Sequence, residues 1–80
     1  MKIVMRDGRV FQGTALPIVK AMQDIAFGVE DFTVPPYIEW VVATARPFAA
    51  VELAVKGGTD EELAASLVAE MLRTGLTAKG

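Results

Sequence analysis

The chain contains no histidine and no cysteine. Without histidine it lacks the one side chain that ordinarily titrates near neutrality, which is also the commonest metal ligand. Without cysteine there is no thiol nucleophile, no thiolate metal site and no disulfide to hold a small fold together. Its only serine, Ser66, has no imidazole to activate it, so the chain alone cannot build a serine triad. Long apolar runs are also missing. Phe32–Ile38 carries no charge, but it is far too short for a bilayer and contains two prolines. Asp7, Gly8 and Arg9 interrupt the N-terminal segment before a leader-peptide core can form. These absences argue against an enzyme, a cofactor, a metal, a small-molecule substrate and a membrane. A cytoplasmic domain is the expectation.

Apolar side chains are abundant. Eighty residues make one small domain, and 52% of them are hydrophobic, with a mean hydropathy of +0.39. A domain of this size buries only about 60–65% of the surface its unfolded chain exposes. Thirty Val, Ile, Leu, Met, Phe, Trp and Tyr residues are more than so small an interior needs. A surplus of this kind forms a patch for a partner, most simply a second copy of the chain or otherwise another protein. The net charge of −2 argues against nucleic acid as the principal partner. Charge is nevertheless uneven: residues 1–20 sum to +3 and residues 21–45 to −4.

The pattern along the chain predicts an α+β domain over residues 1–76, in the order ββααβα, with a small, mainly antiparallel sheet and helices on one face. Asp7-Gly8 between Lys2–Arg6 and Arg9–Gln12 predicts a hairpin with a two-residue turn, pairing Met5 with Val10 and Val4 with Phe11. Thr14 is placed to cap a helix over Ala15–Phe27, with Ile18, Val19, Met22, Ile25 and Ala26 on its apolar stripe and Gln23 opposite. Thr33 and the Pro35-Pro36 pair open a second helix, expected to stop before Pro47. Val51–Lys56 alternates as a third strand. Thr59-Asp60-Glu61-Glu62 is a capping box that starts the last helix, which Gly75 ends. Residues 77–80 are expected to fray.

Tyr37 and Trp40 share a helix face that Thr44 continues, while Ile38, Val41, Val42 and Ala45 suffice for the core side. Together with Arg46 and Phe48 they are candidate interface residues, because Trp, Tyr and Arg are enriched at binding hot spots. Val4 and Phe11, on the second face of the hairpin, are a further candidate. Lys2, Arg6 and Arg9 make the hairpin basic and give an alternative reading, a ribbon that contacts nucleic acid. Asp24, Glu30 and Asp31 lack the alternating spacing of a Ca²⁺ loop. Gly57-Gly58-Thr59 and Gly13-Thr14 precede helices but lack a phosphate-loop fingerprint.

Overall fold

The computed structural model describes residues 1–26, 28–29 and 31–80. Strands β1 (Lys2–Met5) and β2 (Val10–Gln12) are followed by helices α1 (Ala15–Ile25), α2 (Val34–Ala49) and α3 (Asp60–Arg73), and then by β3 (Thr77–Lys79). The sheet runs β2-β1-β3 and is antiparallel throughout. The class is α+β, as composition and pattern imply. Among the described residues no helix is long and apolar enough to cross a membrane.

The third strand is not where alternation places it. Residues 77–79, expected to fray, pair with β1, and the backbone N–H of Gly80 reaches the Lys2 carbonyl at 3.0 Å. The element order is therefore ββαααβ. Val51–Lys56 does run with the expected alternation, Leu53 being buried and Val51 and Val55 partly so, but it joins no sheet. Side chains of α3 stand in for a neighbouring strand. The Ala54 N–H donates to Glu70 Oε1 at 2.8 Å, the Lys56 N–H to Ser66 Oγ at 2.9 Å, and Arg73 Nη2 to the Glu52 carbonyl at 3.3 Å. With β2 on one edge of β1 and β3 on the other, no central edge remained for this segment.

The hairpin register also differs by one residue. Val4 pairs with Val10 and Ile3 with Phe11. A two-residue I′ turn needs positive φ at both central positions, yet of Asp7 and Gly8 only Gly8 adopts it, at φ 93. Asp7 instead accepts the Arg9 N–H at 3.0 Å, and the Met5 N–H donates to the Arg9 carbonyl at 2.8 Å, so the loop holds three residues. A one-residue shift turns side chains over. Phe11 therefore joins Met5 against the core beside fully buried Ile3, and Val4 shares the outer sheet face with Val10.

The core is built where α1 and α2 each pack against α3, over the inner face of the sheet. Its largest fully buried members are Ile3, Ile18, Val19, Leu67, Val68 and Met71. Gln23, expected on the solvent side of α1, is buried. Its Nε2 donates to the carbonyls of Val29 (2.7 Å) and Phe32 (2.6 Å), fastening the connector back onto the helix. The predicted end of α1 at Phe27 lies outside the described residues; the helix itself closes at Ile25, which is exposed. Ahead of α3, Thr59 Oγ1 accepts the Glu62 N–H at 3.1 Å, the first half of the capping box. Gly57 is required there, because a Cβ would come within 2.8–2.9 Å of the Glu62 and Leu63 backbone.

Helix α2 also departs from expectation, continuing through Pro47 to Ala49. Proline removes the N–H that would reach the Ala43 carbonyl and crowds that carbonyl with its ring, but Ala43 is exposed, so the group can tilt outward to water. Ala50 then ends the helix in the left-handed region, φ 54, donating its N–H to the Arg46 carbonyl at 3.1 Å.

Candidate protein interface

That extra stretch of nearly one turn creates a conspicuous surface. Because α2 continues past Pro47, Phe48 falls one turn beyond Thr44, which is itself one turn beyond Trp40. The three form a ridge about 12 Å long at i, i+4 and i+8. Phe48 is 86% exposed and Trp40 38%. Pro36, Ala43 and Pro47, all exposed, fill the rest of this side of the helix. An exposed helix face is normally charged, yet these six residues include no charge at all. Beside the ridge lies a shallow depression of about 190 Å³, walled by Trp40, Phe48 and Leu76 and floored by Val41, Ala45 and Ala49.

The one acid and the one base of α2 lie on its other flank. Glu39 and Arg46 rim a groove of about 530 Å³ between α2 and the extended segment, floored by Ile38, Val42, Leu53 and Val55. Arg46 also pairs with Glu52 at 2.9 Å, both side chains being largely in solvent.

The sequence-derived candidates thus separate. Trp40 and Phe48 come together on the outer face of α2. Tyr37 does not join them at the surface: it is buried at 2% exposure beneath Trp40, and burial pushes its hydroxyl up to about 12. Arg46 lies on the groove side. Val4 and Phe11 are on opposite faces of the sheet. Of the basic hairpin residues, Lys2 is exposed, Arg9 Nε lies 3.4 Å from Asp7 Oδ2, and Arg6 Nε donates to the Gly75 carbonyl at 3.4 Å. Among the described residues no three metal-binding side chains cluster, and Glu30 of the acidic trio lies outside them. Leu76 lines this candidate surface, and pattern reading missed it. Only the return of the chain through β3 brings it beside α2, and no local signal reports that.

No family model, curated protein or solved structure matches this chain.

Proposed function

We propose that this domain is a non-enzymatic protein-interaction module, homodimeric, that associates through the outer face of α2. The observation that carries the reading is the uncharged ridge of Trp40, Thr44 and Phe48, with a phenyl ring almost wholly in water. Burying a phenylalanine side chain is worth about 1.5–3 kcal/mol, and among the described residues Phe48 stays 86% exposed. The absence of histidine and cysteine, and the engagement of Ser66 by the Lys56 N–H, support the non-enzymatic half of the reading. The nucleic-acid alternative draws less support, since Arg6 and Arg9 already have partners within the hairpin and the α3–β3 turn.

Sedimentation equilibrium from micromolar to millimolar concentration tests the reading. The wild-type chain is expected to exceed its 8.6 kDa monomer mass. The Phe48→Glu variant is expected to remain at that mass, with the melting curve that the wild type shows when dilute enough to be monomeric. A wild-type chain that stays monomeric over the whole range contradicts the proposal.

A further inference from the structure

We infer that the groove between α2 and the extended segment binds a short apolar peptide with both ends free. Three observations carry this assignment. It is independent of self-association, because the groove lies on the opposite flank of α2 from Thr44.

First, the charges define a dipole. Among the described residues that line the groove, only Glu39 and Arg46 are charged. They stand seven residues apart, just under two turns. Both therefore lie on one side of α2, about 10.5 Å apart along its axis. Between them the floor is apolar, made by Ile38, Val42, Leu53 and Val55. A complementary ligand is cationic at one end, anionic at the other and apolar in the middle. An extended tripeptide spans about 10–11 Å, with an ammonium and a carboxylate at its ends. Glu39 takes the ammonium and Arg46 the carboxylate. Arg46 also pairs with Glu52, but through one of its five donors and in solvent, where such pairs hold weakly.

Second, the groove offers partners for an amide. Ala54 and Lys56 donate their N–H groups to Glu70 and Ser66 of α3. Those two side chains lie one turn apart, about 6 Å. That matches the spacing of about 6.6 Å between alternate residues of an extended chain. Successive N–H groups of such a chain point to opposite sides. The N–H and carbonyl of Val55 therefore face away from α3, toward the groove, and neither has a partner among the described residues. A peptide amide satisfies both, whereas an alkyl chain satisfies neither.

Third, the size fits. At about 530 Å³ the groove falls within the range of about 300–1,000 Å³ typical of small-ligand sites.

The test titrates the isotope-labelled chain with the tripeptide Leu-Val-Leu and follows the amide resonances. Saturable shifts are expected at Val42, Leu53 and Val55. Acetylating the peptide's amino end is expected to weaken binding to wild type about three- to fivefold, and to change nothing in Glu39→Gln. Amidating its carboxyl end is expected to weaken wild type similarly and to change nothing in Arg46→Gln. Both side chains are exposed, and each variant is first checked for a wild-type melting curve. An ω-aminooctanoic acid, similar in length but without amides, is expected to bind several-fold more weakly. No saturable shift in wild type, or a blocked peptide that binds as well as the free one, overturns the site. Losses on blocking that persist unchanged in the variants overturn the roles of Glu39 and Arg46. Equal binding of the amino acid removes a peptide as the occupant.

Discussion

Trp40 stacks on Tyr37 with ring centroids 6.0 Å apart and planes inclined by 23°, one ring buried and the other facing water. The pair divides the work of α2, Tyr37 for the fold and Trp40 for the surface. Tyr37→Ala is expected to cost about 3 kcal/mol or more through the cavity it leaves. Trp40→Ala is expected to cost the monomer about 1 kcal/mol while weakening self-association more. Urea melts and sedimentation of the two variants separate these effects; equal losses of folding stability would erase the distinction.

The same burial gives an alkaline signature. The folded chain holds the Tyr37 hydroxyl at about 12 against an ordinary 10.0. A pKa raised by folding means stability that is full below pH 10 and lost as pH rises towards about 12. Tyr37 is the only tyrosine, so its ultraviolet titration is unambiguous. Ionisation near 10 in a folded chain would contradict the burial.

Glu70 provides the acid counterpart. Hydrogen bonds from the Arg73 guanidinium and then from the Ala54 N–H hold its carboxyl down at about 2, against an ordinary 4.5. A depressed pKa gives stability that is present above 4.5 and lost as pH falls towards about 2. The Glu70→Gln variant is expected to lose that part of the acid transition, and the Ala54 amide resonance of the wild type is expected to titrate with it. An Ala54 amide indifferent to pH in this window would remove Glu70 as its partner.

Ala50 occupies a left-handed conformation that costs a residue with a Cβ about 1–2 kcal/mol. Glycine pays a larger entropic cost on folding but no such strain. Ala50→Gly is therefore expected to raise stability by about 0.5–1 kcal/mol, read as a higher denaturant midpoint with an unchanged slope. A lower midpoint would mean that glycine's entropic cost outweighs the strain relieved at this position.

Thr77 carries the one buried side-chain oxygen among the described residues that lacks a hydrogen-bond partner. Valine has the same shape, suits a strand and removes the stranded hydroxyl. Thr77→Val is expected to stabilise the domain by about 1 kcal/mol in thermal melts. Destabilisation would point to a hydrogen bond that the hydroxyl makes in solution.

Local chemistry was legible in the sequence wherever a signal acts within a few residues. Asp7-Gly8 announces a hairpin, Thr59 to Glu62 a helix start, and the alternation of Val51, Leu53 and Val55 an extended segment. What was illegible depends on competition between distant groups. Glu70 and Ser66 take the hydrogen bonds that a neighbouring strand would have offered residues 54 and 56, and β3 takes the edge of β1. The turn is a finer case. Asp7 bonding the Arg9 N–H adds one residue to the loop, and that single residue exchanges the environments of Val10 and Phe11. At the candidate interface, Trp40 and Phe48 were each recognisable, but their alignment depends on α2 continuing through Pro47, which an exposed Ala43 permits and no pattern rule foretells.

The pairing of β1 with β3 has a consequence for how the chain is made. The central strand and the partner for its second edge are synthesised some seventy residues apart, the partner second. Until then Ile3 and Met5 have a bare edge beside them, and unpaired edges invite the wrong neighbour. The domain therefore cannot assemble stepwise from its beginning. Its sheet closes in one late event, and the nascent hairpin is the stretch most in need of shielding while it waits.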